Sequence, residues 1–343
     1  MTEQSKIPTA EAELPEAEAQ SLIERVVRNY DLVRLSPPPI PKELRSAGRK
    51  RGTSYRRGQP GDEADSTPQP APATPEVVVP EVVEHYTVPA APVRPVQFCG
   101  PRHPVERNHL RDQGLIVPEG SVTALLEEFR IVKRQLMATV ADLRGQGAGA
   151  SAQRVLICSP HPGEGKTYTA VNLALSIATE KESEVLLVDA DFAKPSVLSA
   201  LGLPGGPGLM DALADPGIDV ADCVIGTDIP GLWVLPAGNA TSSDSEFLSS
   251  SRTAAVLERL TQGAPQRFVI FDSPPALAAS PAAELAKHVG QAVVVVRADT
   301  TQQSALEDAV SLLAGCAHIE LLLNAVQFNP TGRKFGSYYG YGR

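Results

Sequence analysis

Arg154-Val155-Leu156-Ile157-Cys158 runs straight into Ser159-Pro160-His161-Pro162-Gly163-Glu164-Gly165-Lys166-Thr167. The first five residues read as a short buried strand, and the segment after them as a glycine-bearing loop. Val171, Leu173, Ala174 and Ile177 then fall at helical spacing. Strand, glycine loop and helix in that order make a cradle for phosphate. Glycines let the backbone wrap closely, so amide N–H groups point at a β-phosphate, and the helix N-terminus adds partial positive charge. The expected nucleotide contacts run through Pro162, Gly163, Glu164, Gly165, Lys166, Thr167 and Tyr168. Lys166 bridges β and γ oxygens, and the Thr167 hydroxyl ligates Mg²⁺. The general pattern G-x-x-x-x-G-K-[ST] is missed at its first position, which is Pro160.

Outward from this loop, short apolar runs alternate with longer segments. Arg154–Cys158, Glu184–Asp189, Leu232–Pro236, Arg267–Asp272, Ala292–Arg297 and His318–Leu323 are rich in Val, Ile and Leu. Strands buried on both faces of a parallel sheet have this composition. The segments between them are long enough for crossover helices, which predicts a doubly wound, mostly parallel α/β fold. Upstream, Leu125, Leu126, Phe129, Val132, Leu136 and Val140 predict a helix over Ser121–Leu143, ended by Gly145, Gly147 and Gly149. No repeat of period 20–50 residues is visible.

Two acidic motifs close strands of the expected sheet. Val188-Asp189-Ala190-Asp191 ends one, and Phe271-Asp272-Ser273-Pro274-Pro275 ends another. Ligands of such sheets sit beyond the carboxyl ends of the strands. Asp189 and Asp272 are therefore expected to face the Mg²⁺ shell, since that ion takes a few carboxylates beside waters and phosphate oxygens. Asp191 is left to orient or deprotonate an attacking hydroxyl. Lys166, Asp189 and Asp191 are the expected catalytic set, and Thr167, Asp189 and Asp272 the metal set.

Composition bounds the rest. Of 343 residues, 31 are proline, and 17 of those fall in the first 104. Aromatics make up 5%, thin for a chain globular throughout. One core of roughly 200 residues behind a disordered arm is the expectation. In that arm Ser21–Asn29 reads as a short amphipathic helix with a capping-box start at Ser21 and Glu24, either marginal or a partner's dock. Pro37-Pro38-Pro39 and the Pro/Ala/Thr run from Thr67 to Pro75 forbid helix and keep the chain extended. Arg45, Arg49, Lys50, Arg51, Arg56 and Arg57 form a basic patch there, a solvated run or a contact for an acidic surface. The net charge of −9 argues against non-specific nucleic-acid binding. No basic-then-apolar leader opens the chain, and no apolar run of about 18 residues is present, so neither secretion nor a membrane span is expected. Cys99, Cys158, Cys223 and Cys316 make no CxxC pair and suit a reducing cytosol.

Together these motifs resemble those of the bacterial tyrosine kinases built on a P-loop ATPase fold of the MinD/ParA-like type. The likeness is greatest to the exopolysaccharide-associated tyrosine autokinases that accompany exosortase systems. It covers roughly residues 105–343 and the Ser21–Asn29 segment. The phosphate loop, Val188–Asp191 and Phe271–Pro275 correspond to that family's three nucleotide motifs. Gly114-Leu115-Ile116-Val117-Pro118 with Glu127, Arg130, Lys133 and the adjacent Arg134 resembles its ring-assembly helix, and a solvated charged stripe is the other reading of those four residues. Tyr338-Tyr339-Gly340-Tyr341 resembles its phosphorylated tail.

The resemblance implies an ATP- and Mg²⁺-dependent autokinase whose subunits phosphorylate one another on Tyr338, Tyr339 and Tyr341 in a ring-like homo-oligomer, regulating exopolysaccharide biosynthesis and export. It implies a separate membrane activator protein of the chain-length and export type, a phosphotyrosine phosphatase, and a place at the inner face of the plasma membrane through the partner. Asn324 would contact adenine, by likeness to related ATPases. The expected domains are an arm over 1–104, a kinase domain over 105–328 and a tail over 329–343. One departure stands out: the family's Arg two residues after the second motif aspartate is here Ala193, followed by Lys194. A lysine does not replace a bidentate guanidinium. A placement ATPase of the same fold, with His161 where many carry an extra lysine, and a weakly catalytic nucleotide-binding scaffold of an export complex are the competing readings.

The tail has its own logic. Gly336, Gly340 and Gly342 lie among its tyrosines, and from Phe328 to Tyr341 is 13 residues, at most about 45 Å extended. That reach extends to a neighbour's site. Each phosphate adds about −1.5 to −2 charges, which favours repulsion between subunits.

Overall fold

The computed structural model describes residues 94–239 and 244–326. The expected 21–29 helix, the proline-rich linker, the basic patch and Tyr338, Tyr339 and Tyr341 lie outside these residues.

Eight strands form one sheet. In chain order they are β1 (Arg102–His103), β2 (Arg154–Cys158), β3 (Glu184–Asp189), β4 (Ile225–Thr227), β5 (Leu232–Leu235), β6 (Arg267–Asp272), β7 (Gln291–Arg297) and β8 (Ile319–Asn324). Their order across the sheet is β1-β4-β5-β3-β6-β2-β7-β8. Every pairing is parallel except β4 with β5. The helices are α1 (Arg107–Asp112), α2 (Ala124–Gly145), α3 (Lys166–Ala178), α4 (Val197–Leu201), α5 (Leu209–Ala214), α6 (Asp244–Leu248), α7 (Ser251–Thr261), α8 (Pro281–Ala286) and α9 (Gln303–Leu312).

The period of two along each strand divides the core. On β2, Leu156 and Cys158 face one apolar layer, with α5, α7, α8 and α9 over it. Val155 and Ile157 face the other, covered by α1, α2, α3 and α4. All five residues of β2 and all six of β6 are buried, as strands between two helical layers must be. Within α2, Leu126, Phe129, Leu136 and Val140 are buried on one stripe, and the Thr123 hydroxyl accepts from the Leu126 N–H at 3.2 Å. Capping by Thr123 starts the helix three residues after the expected Ser121.

The packed chain reaches back past the expected start at 105. Val96 and Phe98 are buried; the Val96 N–H donates to the Gln262 carbonyl at 3.0 Å, and Phe98 meets Trp233 edge to face. The Arg267 guanidinium stacks 4.0 Å from the centre of the Phe98 ring. Among the described residues no helix is long and apolar enough to cross a membrane.

Strand order places the site. β2 lies between β6 and β7, and β3 lies beyond β6, so the carboxyl ends of β2, β3 and β6 open side by side. In-register pairing sets Asp189 directly beside Asp272.

Candidate active site

The loop between β2 and α3 closes over these strand ends. Gly163 and Gly165 both take positive φ, 80° and 99°. The φ of Gly165 favours glycine, and a Cβ there would stand 2.1 Å from the Asn324 Nδ2 and displace that side chain. Lys166 then opens α3, with its first amides unsatisfied by the helix. The loop thus has the strand, glycine loop and helix arrangement that the phosphate-cradle expectation called for.

Three carboxylates converge on the loop in different states. The Lys166 ammonium reaches Asp191 Oδ2 at 2.7 Å, and both side chains are largely buried. The second oxygen of Asp191 accepts from the Lys194 N–H at 3.1 Å. Asp189 is occupied by backbone: Oδ1 accepts from the Asp191 N–H at 3.2 Å, and Oδ2 from the N–H groups of Ser196 and Val197, each at 2.9 Å. It therefore fixes the chain entering α4. Burial raises the Asp189 pKa, and those backbone hydrogen bonds oppose the rise. Asp272 is wholly buried, and neither of its oxygens has a hydrogen-bond partner. Burial pushes its carboxyl up to about 7, against the pull of the Lys166 charge and the nearby Thr167 hydroxyl.

An unpartnered buried carboxylate beside a threonine hydroxyl and a phosphate cradle suits a hard divalent cation. Among the described residues no group of three or more His, Cys, Asp or Glu forms a protein cage for a metal. Thr167 and Asp272 fit as the protein contacts of Mg²⁺. Asp189 is the less available of the expected metal set, because both its oxygens already accept backbone donors.

Several expected residues have partners within the chain. The Tyr168 hydroxyl donates to the Gly114 carbonyl at 2.8 Å, and its ring lies against Phe129. Only its backbone amide faces the cradle end of α3. Asn324 donates from Nδ2 to the Glu164 carbonyl at 2.9 Å and accepts at Oδ1 from the Ala325 N–H at 2.8 Å, so its amide braces the loop. Glu164 is itself buried. Pro162 and Gly163 are exposed at the loop's tip, and Ala193 and Lys194 are exposed beside Asp191. On α2, Glu127 and Arg130 pair at i, i+3, and Arg134 is exposed. Lys133 departs from the expected exposed stripe. It is 3% exposed, donates to the Ser176 carbonyl at 3.1 Å, and meets Glu180 at 2.5 Å. A lysine there caps the carboxyl end of α3, where helix carbonyls and dipole attract a cation.

Two contacts escaped the sequence reading. The Asn172 Oδ1 accepts from the Ile116 N–H at 2.8 Å, which ties the Gly114–Pro118 segment to α3. The Thr301 hydroxyl bonds the Glu164 carboxylate. No local pattern marks either pair; each joins positions far apart in the chain.

Comparison with known proteins agrees with this geometry. The AAA domain family model matches residues 153–325. Tyrosine-protein kinase YwqD of Bacillus subtilis (strain 168) is 30% identical over 222 residues, which are 65% of this chain and 90% of that protein. Tyrosine-protein kinase ptk of Acinetobacter johnsonii is 27% identical over 247 residues, 69% of this chain and 32% of that protein. The chain thus spans about a third of the length of that relative, and 30% of a Ralstonia nicotianae relative. The kinase domain of Escherichia coli tyrosine kinase ETK shares the fold, with a TM-score of 0.52 at 21% identity over 69% of this chain and 92% of that one. Fold and site thus define a P-loop protein of the AAA domain class. Within that class, the chain belongs to the bacterial tyrosine-protein kinases.

Proposed function

We propose that this protein is an ATP-dependent tyrosine autokinase that phosphorylates Tyr338, Tyr339 and Tyr341 between subunits and regulates exopolysaccharide synthesis and export. The observation that carries the reading is the convergence of Lys166, Thr167, Asp191 and Asp272 at the carboxyl ends of β2, β3 and β6. The loop amides and Lys166 bind and orient the ATP phosphates. Thr167 and Asp272 would hold Mg²⁺, which would supply neutralisation of the phosphate charge. Lys166 leaves Asp191 for phosphate, which frees the Asp191 carboxylate. Asp191 accepts the proton of the tyrosine hydroxyl as its oxygen bonds the γ-phosphorus. The bond from that phosphorus to the bridging oxygen breaks, and ADP departs.

The domain division proposed is an arm, a kinase domain and a tyrosine tail. Glu127, Arg130 and Arg134 on α2 are proposed as the ring contact. A membrane activator at the inner face of the plasma membrane and a phosphotyrosine phosphatase complete the system. Support comes from the family membership and from relatives named as tyrosine-protein kinases.

Peptide mass spectrometry after incubation with ATP and Mg²⁺ tests the reading. Wild type should gain phosphate on Tyr338, Tyr339 and Tyr341; Lys166→Met should gain none while still unfolding in one cooperative transition. Tail phosphotyrosine retained in Lys166→Met, with contaminating kinases excluded, would refute the site assignment. An unmodified wild type is first retested with the cytoplasmic segment of a membrane activator. If it still gains no phosphate, the autokinase reading fails.

A further inference from the structure

The phosphate loop is gripped from the β7–β8 side of the sheet. Glu164, third residue before Thr167, turns its side chain inward and is 5% exposed. One carboxylate oxygen accepts from the His161 N–H at 2.8 Å, which closes the loop on itself. The other accepts from the Thr301 hydroxyl. Thr301 sits between β7 and α9, and its oxygen also accepts from the Arg297 N–H at 2.9 Å. That second bond orients the hydroxyl proton toward Glu164. The Glu164 carbonyl meanwhile takes the Asn324 amide from the end of β8. One loop residue is thus held at side chain and backbone by two separate connections.

Those connections share a second feature. Asp299, two residues before Thr301, has φ 60°, and Ala325, next to Asn324, has φ 54°. They are the only non-glycine residues with positive φ among the described residues. Such backbone persists only where its surroundings over-determine it, and it gathers at functional sites. Each bend lies within two residues of a polar side chain bonded to Glu164.

We propose that Thr301 is a positioning residue of the phosphate loop: through the buried Glu164 carboxylate it holds the loop in its binding shape before nucleotide arrives. A loop already in its bound shape spends less free energy on ordering when ligand binds. The inference concerns phosphate binding alone, so it stands or falls separately from the kinase reading.

The probe is Mg²⁺·ADP, with affinity measured by equilibrium titration of the full chain. Thr301→Val keeps the shape and removes the hydroxyl. It should weaken ADP about tenfold, which corresponds to about 1.4 kcal/mol. Thr301→Ser restores the hydroxyl and should return the affinity to within about twofold. Glu164→Met keeps the length of the side chain and removes both acceptors, and should weaken ADP at least as much. Where Thr301→Val does not fold, the Glu164→Met and Thr301→Ser pair decides. A merely structural bond would lower the melting temperature of the nucleotide-free protein and leave the ADP affinity unchanged. That result, or a Thr301→Ser variant as weak as Thr301→Val, would overturn the proposal.

Discussion

At the residue scale, the site is built from one cation and carboxylates in unequal environments. Asp191 is paired, Asp189 is saturated by backbone, and Asp272 is buried without a partner. The last arrangement costs stability in the metal-free protein and makes it depend on pH. The folded-state pKa of Asp272 is raised from 3.8 to about 7, so the native protein holds a proton that the unfolded chain has released. Its contribution is fully present below about pH 4 and is lost as pH rises toward about 7. Asp189, also raised by burial, acts in the same direction. Asp272→Asn keeps the shape and does not titrate. With chelator present and nucleotide absent, it should melt close to wild type near pH 4. It should melt above wild type by roughly 10 °C near pH 7, the shift expected for about 4 kcal/mol of linkage in a domain of this size. A gap that stays constant over that range, measured by circular dichroism melts, would mean that Asp272 is ionised throughout.

At the scale of elements, α2 carries two kinds of basic residue that its sequence does not distinguish. Lys133 is turned inward onto the end of α3, whereas Arg130 and Arg134 lie toward solvent. Their mutations should therefore separate cleanly. Lys133→Met retains the apolar stem but strips the Ser176 carbonyl and Glu180 of their partner, and should cost about 1–3 kcal/mol. Arg130→Ala with Arg134→Ala should leave the melting temperature within about 2 °C, a surface-sized effect, and should shift sedimentation toward monomer. Unchanged sedimentation would remove α2 from any assembly interface. The contrast also shows what sequence carries. β2, β3 and β6 were legible residue for residue, because strands buried on both faces are continuous apolar runs bounded by turn signals. β1 and β4, with two and three residues, are too short to show any period, and they were not found. The phosphate loop and its aspartates were legible because spacing along the chain carries them. Thr301 was not, since a hydroxyl 137 positions from its carboxylate becomes visible only when β7 folds beside β2. Lys133 failed for the same reason: helical spacing gives its angle on α2, and only packing against α3 decides that the angle is an inner one.

At the scale of the whole molecule, the question is whether phosphate moves within a chain or between chains. The last described strand ends at Asn324, and the tail tyrosines begin fourteen residues later. An extended chain of that length spans at most about 50 Å, which does not confine it to its own site. Length alone therefore does not decide, but the two routes respond differently to mixing. A Lys166→Met chain offers intact tyrosines without a working phosphate loop. A chain truncated after residue 328 offers the loop without tyrosines. Neither should acquire phosphotyrosine alone. Mixed with ATP and Mg²⁺, they should yield phosphate on Tyr338, Tyr339 and Tyr341 of the Lys166→Met chain, at a rate that rises with total protein concentration. Adding Arg130→Ala and Arg134→Ala to both partners should slow that rate at least tenfold if α2 brings subunits together, a loss of about 1.4 kcal/mol in coupling. A mixture that stays unmodified, beside a wild type that labels itself at a rate independent of concentration, would place transfer within one chain. The tyrosines would then be presented to the site at the ends of β2, β3 and β6 of their own chain.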